Sequence, residues 1–132
     1  MGYRVILFLI VSFLTSSCDP PHYITFENQT NDEVKVYLML SDDKEYSNTS
    51  ELITNDTLSI IIPKNESYQL DFGIGNWHND EVHLIANTMN QMIFSTKHWD
   101  KTFKSKESIY QLMESKVIGI FFKNEIKIEI HE

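Results

Sequence analysis

Residues Glu33–Leu40 alternate without a break: Val34, Val36, Leu38 and Leu40 fall on one side of an extended chain, and Glu33, Lys35, Tyr37 and Met39 on the other. A helix would scatter those aliphatic residues around its axis, so this period of two specifies a half-buried strand. Shorter versions recur at Tyr23–Glu27, with Ile24 and Phe26 on one face, at Tyr68–Phe72, and where Ile126, Ile128 and Ile130 alternate with Lys127 and Glu129. Thr57–Ile62 reads as a more buried strand stopped by Pro63, whose missing N–H ends a ladder. Glu51–Thr54 suits a short edge strand, and Gln91–Ser95 and Lys116–Lys123 read as further strands. Asn28–Asp32 and Lys64–Ser67 have turn composition, and the polar run Ser41–Ser50 reads as an exposed loop.

This spacing predicts two hairpins, Tyr23–Glu27 with Glu33–Leu40 and Lys116–Lys123 with Glu125–His131 around Asn124. Two segments change period. Val82, Ile85, Ala86 and Met89 recur at helical spacing, predicting a helix over Asp80–Met89 capped by Asn79 or Asp80. Ser105–Ser115, carrying Ile109, Leu112 and Met113, predicts a second. Seven or eight short strands at roughly ten-residue spacing make the chain mostly β, an antiparallel sandwich or barrel-like domain with one or two short helices. There is no internal repeat, which argues against a solenoid or propeller.

The N-terminus is of another kind. Arg4 precedes an apolar run, Val5–Leu14, broken only by Ser12, and Thr15, Ser16 and Ser17 lead into Cys18, the one cysteine of the chain. Ten residues span about 15 Å as a helix, half a bilayer's hydrocarbon core, so the pattern is that of an export signal rather than a membrane span. Leu14-Thr-Ser-Ser-Cys18 resembles the lipobox of small bacterial lipoproteins, with Thr15 standing where leucine is commonest. The resemblance implies a signal peptide over 1–17, acylation of Cys18, a tether over 18–22 that includes Pro20-Pro21, and a single β-rich domain over 23–132. Cleavage after Ser17 by ordinary signal peptidase fits the same residues and leaves Cys18 bare. Residues Tyr23–Phe72 are similar to the opening of uncharacterised secreted lipoproteins, which carry no known active site.

Without residues 1–17 the chain has 115 residues, ten lysines, no arginine, nineteen acids and a formal charge of −9. Nucleic acid is thereby excluded as a partner, because phosphate neutralisation needs clustered Lys and Arg. With no second cysteine, stability must come from an ordinary core. The membrane, through the lipid anchor, and a protein or glycan are the expected partners. The expected address is the bacterial envelope, at the outer membrane in preference to the inner, although Asp19 after the cysteine signals inner-membrane retention in some bacteria.

Gly73-Ile-Gly-Asn-Trp-His78 is the most site-like loop, and Trp77 and His78 are the candidate ligand-binding residues. Its glycines permit close approach, and a ring could stack on Trp77; the competing reading is a turn lidded by a packed Trp77. His78, Asp80, Glu81, His83 and His98 supply metal-ligating types, but His78 and His83 would point about 140° apart on a helix, so no metal and no cofactor is expected. Asp42, Asp43, Glu45, Asp71, Asp80, Glu81 and Asp100 are the acids available for catalysis, most of them on polar loops where solvated charge is the rule. Asn28, Asn48, Asn55 and Asn65 each open a glycosylation sequon, and Asp56-Thr57-Leu58 resembles an O-glycosylation motif of some Gram-negative exported proteins. Tyr37 and Met39, opposite Val36 and Leu38, could face a partner. The expectation is a non-catalytic binding or structural protein. The alternatives are an acidic inhibitor or immunity-type protein, a glycan-binding module built on Trp77, and a small hydrolase.

Overall fold

The structure is a computed structural model that describes residues 20–41, 53–119 and 123–132. The signal segment, Cys18, most of the Ser41–Ser50 loop and residues 120–122 lie outside the described residues. The strands are β1 (Pro21–Asn28), β2 (Val34–Leu40), β3 (Ile53–Thr54), β4 (Thr57–Ile62), β5 (Ser67–Ile74), β6 (Met89–Ser95), β7 (Asp100–Phe103), β8 (Val117–Ile118) and β9 (Glu125–Ile130). Two helices, α1 (Asn79–Asn87) and α2 (Lys106–Glu114), interrupt them. The fold is mostly β, two sheets packed face to face, consistent with a sandwich.

One sheet has the order β5-β1-β9-β8, the other β3-β4-β2-β6-β7. Aliphatic alternation aims the same set inward from both. Ile24 and Phe26 of β1 and Ile126, Ile128 and Ile130 of β9 meet Val34, Val36 and Leu38 of β2, Leu58, Ile60 and Ile62 of β4, and Met92 and Phe94 of β6 in one buried cluster. The Phe26 and Phe94 rings cross between the sheets edge to face at 6.2 Å. Helix α2 packs on α1 and touches both β6 and β9, covering the flank where the two sheets would otherwise open to water. Val82, Ala86, Ile109 and Met113 are the side chains it and α1 add to the core.

The expected first hairpin is not formed. β1 is occupied on both edges, antiparallel to β5 and parallel to β9, while β2 lies between β4 and β6 in the other sheet. Asn28–Asp32 is therefore an arch from one sheet to the other. The parallel pairing also departs from the all-antiparallel expectation, and β1 begins at Pro21 rather than Tyr23. Proline is tolerated as the first residue of a strand because its absent N–H interrupts no ladder there.

A buried asparagine holds the arch. The Asn28 amide nitrogen lies 2.7 Å from the Asp32 carbonyl, 3.0 Å from that of Ile62 and 3.1 Å from that of Pro63, so its two hydrogens are shared among three acceptors. Its Oδ1 accepts from the Thr30 N–H at 2.9 Å and the Thr30 hydroxyl at 2.8 Å. The amide thus ties the end of β1 to the end of β4 across the sandwich. It also fills the Asn28 sequon from inside, leaving no side-chain nitrogen for a sugar.

Other elements follow local chemistry. The β3–β4 turn places Asn55 at φ +50° and Asp56 at φ +59°, the pair of left-handed residues that a two-residue hairpin with right-handed strand twist requires. Ser105 caps α2: its Oγ accepts from the Ser108 N–H at 3.1 Å, and the Ser108 Oγ accepts from the Ser105 N–H at 3.3 Å. Helix α1 starts one residue earlier than expected, with His78 as cap and its N–H donating to Glu81 Oε2 at 3.2 Å. It stops at Asn87, because Met89, in phase with the helical pattern, is the first inward residue of β6. β8 pairs antiparallel with β9 as the last hairpin requires, but over two residues and across a wider connection than a turn at Asn124.

Replacing Asn28 with Ala should cost about 2–4 kcal/mol, since it strands several buried carbonyls and an N–H at once. Urea unfolding checks this; a loss under about 0.5 kcal/mol, the range of an ordinary surface change, would show that water replaces the amide at no cost.

Candidate functional site

The Gly73–His78 loop is built to close the sheet. Gly73 at φ +94° and Gly75 at φ +141° adopt backbone conformations that a side chain would strain. They let the chain turn so that Trp77 reaches inward, where it is 3% exposed. Its ring meets His22 edge to face at 4.5 Å and Phe72 at 5.4 Å. The indole N–H donates to the Tyr23 carbonyl at 3.2 Å, and the Trp77 backbone N–H donates to the Lys123 carbonyl at 2.6 Å. So buried, Trp77 offers no platform for a sugar. His78, exposed, caps α1. The two candidate ligand-binding residues are not brought together into a site.

The remaining histidines and acids disperse. His83 stacks on Tyr110 at 4.2 Å, while His98 lies 3.4 Å from Asp32 in the β6–β7 turn, beside a Lys97–Asp32 ion pair of 2.6 Å. Among the described residues no three of His, Cys, Asp or Glu gather around a metal-sized space. Asp71 takes the Gly73 N–H, and Asp80 and Glu81 occupy the first turn of α1, where carboxylates suit the helix dipole. Asp42, Asp43 and Glu45 lie outside the described residues.

What the topology does assemble is the outer face of the β5-β1-β9 sheet. Paired positions share a face, so register gives three successive rows: Asp71–Tyr23–Glu125, Gln69–Thr25–Lys127, and Ser67–Glu27–Glu129. The face thus carries four carboxylates and one ammonium. Lys127 forms an ion pair with Glu27 and lies 4.0 Å from Glu129. The hydrogen bond from Lys127 holds the Glu27 carboxyl below its ordinary value near 4.5, assisted by Gln29, and the same bond raises Lys127 above 10.5. Beneath them Thr25 is 5% exposed and its hydroxyl has no hydrogen-bond partner. A shallow cleft of about 290 Å³ runs over this floor toward Asn65 and Glu66.

The other sheet presents a different exterior. Tyr37 pairs with Ser59 and Ile93, and Met39 with Thr57 and Gln91, so Tyr37, Met39 and Ile93 form a half-covered apolar strip. Ile61 stands nearby, more than half exposed. Tyr37 also borders a cleft of about 470 Å³ whose ends carry Asp32, Glu33, Lys35 and Lys97, a balanced set of charges.

Sequence reasoning missed the acidic face. The Glu125, Lys127 and Glu129 alternation was visible, but nothing local places it beside Glu27, almost a hundred residues earlier. No family model, no curated protein and no solved structure matches this chain.

Because Glu27 is held low, its contribution to stability is complete above its unfolded value near 4.5 and is lost as pH falls through the folded value. Lys127→Met should raise the Glu27 titration midpoint, read by carboxyl NMR, and flatten the stability loss on the acid side. An unchanged Glu27 midpoint would show that the ion pair does not form in solution.

Proposed function

We propose that this protein is a lipid-anchored component of the bacterial cell envelope that acts by binding or as a structural module, without catalysis. The observation that carries the reading is Met1–Cys18: a positive start, an apolar run too short to span, small residues, then the lone cysteine. One feature of the fold supports it. The domain begins at Pro21, so only Asp19 and Pro20 separate Cys18 from the first strand. No described helix is long and apolar enough to cross a membrane. Non-catalytic action is supported by the dispersal of the described candidate residues: His78 caps α1, Asp71 takes the Gly73 N–H, and Asp80 and Glu81 lie in the first turn of α1.

A second reading, the acidic inhibitor or immunity-type protein, is favoured by the contiguous carboxylates Glu27, Asp71, Glu125 and Glu129 on one sheet face. Such a face would steer onto a basic cleft. The glycan-binding alternative loses its support with the burial of Trp77.

Radiolabelled palmitate should enter the wild-type chain and not Cys18→Ala; equal labelling would overturn the anchor. For the second reading, a basic protein captured from envelope extract should be lost on a Glu125→Lys, Glu129→Lys double substitution and at raised salt. Capture indifferent to both changes would remove the acidic face from the interaction.

A further inference from the structure

We infer that the end of the β5-β1-β9-β8 sheet where the chain enters docks on the bilayer, with Ile74 and Ile118 seated among the lipid headgroups and upper acyl chains. This rests on the lipid-anchor reading. Four strand ends converge there. Pro21 pairs with Ile74, the Gly75 N–H donates to the Pro20 carbonyl at 2.8 Å, the Tyr23 N–H donates to the Asn124 carbonyl at 3.0 Å, and Ile118 pairs with Glu125. The Asn124 side-chain amide donates to the Pro21 carbonyl at 3.0 Å, so the entering chain is fastened to the rim on both sides.

This rim carries apolar side chains that the core does not use. Ile74 is 72% exposed, more than any other large hydrophobic side chain among the described residues, and Ile118 is 43% exposed. Ile74 ends β5 between Gly73 and Gly75, both at positive φ. A single exposed aliphatic side chain is ordinary on a soluble surface. Here its position matters, because the opposite end of the same sheet is polar: Lys64 reaches Asn31, and Glu132 takes the Asn31 N–H.

Tether length supplies the occupant. Pro21 is the third residue after Cys18, a reach of about 10 Å when fully extended. An acylated Cys18 therefore holds this rim at the headgroup layer and presents no other part of the sheet to it. At that enforced proximity a contact too weak to recruit a free protein is populated. Lys123, exposed beside the rim, supplies an ammonium for headgroup phosphates. The carboxylates Asp71 and Glu125 flank the rim on the outer face, which restricts contact with anionic lipid to the tip.

The test uses the acylated full-length chain in vesicles of phosphatidylethanolamine and phosphatidylglycerol, with acylation and vesicle association read on each sample by mass and flotation. Trp77 lies directly behind the rim, whereas Trp99 sits in the β6–β7 turn near Asp32 at the far end. Lipids brominated near the headgroup should quench Trp77 fluorescence in a Trp99→Phe chain, and Ile74→Ser with Ile118→Ser should reduce that quenching severalfold. Trp99 in a Trp77→Phe chain should stay unquenched. Acylated, vesicle-bound protein whose Trp77 is not quenched, or is quenched regardless of the two serines, overturns the docking while leaving the anchor in place. Absence of an acyl chain overturns both.

Discussion

The sandwich depends on a strand with no free edge. β1 is the second strand of its sheet by position and the first in the chain, and it is hydrogen-bonded along both sides, to β5 and to β9. A chain leaving such a strand cannot fold back beside it, so it must cross to the other layer. Asn28 sits at that crossing, with its amide against the β4 carbonyls and its Oδ1 on the Thr30 N–H. An apolar residue there would leave those backbone groups buried and unpaired, and a charged one would be repelled or desolvated. The short amide satisfies donor and acceptor sides together. Once β1 and β4 are tied, the inward sets of both sheets are in phase, and Phe26 meets Phe94.

From this follows the chemistry of the exterior. Pairing β1 parallel to β9 brings Glu27 and Glu129 into one row and sets Lys127 beside Thr25. The carboxylates would repel strongly without that lysine, and its hydrogen bond to Glu27 is the largest cause of both pKa displacements on this face. The face is acidic, yet Lys127 braces Glu27 and Glu129 within it. The β2-centred sheet lacks this bracing and shows an apolar strip between balanced charges. The two exteriors therefore suit different contacts, one electrostatic and one apolar.

The strands themselves were legible because period two is local. Val34 to Leu40 and Ile126 to Ile130 could be assigned a buried face from spacing alone, and Ser105 with Ser115 bracketed α2 within a residue. Partners were not legible. Alternation specifies which side of a strand is buried but not which strand lies beside it, and an arch and a hairpin use the same Asn, Thr and Asp residues. β7, Asp-Lys-Thr-Phe, carries no alternation; it is a strand because β6 offers it an edge, and its sequence holds no record of that. The loop at Gly73–Trp77 showed its glycines plainly, yet whether Trp77 turned inward depended also on His22, more than fifty residues earlier in β1. The candidate acidic face combines residues from three strands and could be seen only after register was known.

The tether gives the fold a direction. In the proposed arrangement the strands of the β5-β1-β9 sheet run away from the bilayer, and a strand of eight residues spans about 26 Å. The arch at Asn28–Asp32 and the turn at Lys64–Asn65 then stand farthest from the lipid, and they are the polar ends. The acidic face is presented sideways, parallel to neither leaflet, where repulsion from anionic headgroups falls off within a Debye length of about 8 Å at physiological salt. A protein of this charge lying flat would meet that repulsion along its whole length; held by its entering end, it meets it only at the rim. Within this sheet, exposed isoleucine at one end and carboxylate along the outer face are thus what a short anchor on an acidic domain requires, whichever partner the domain engages.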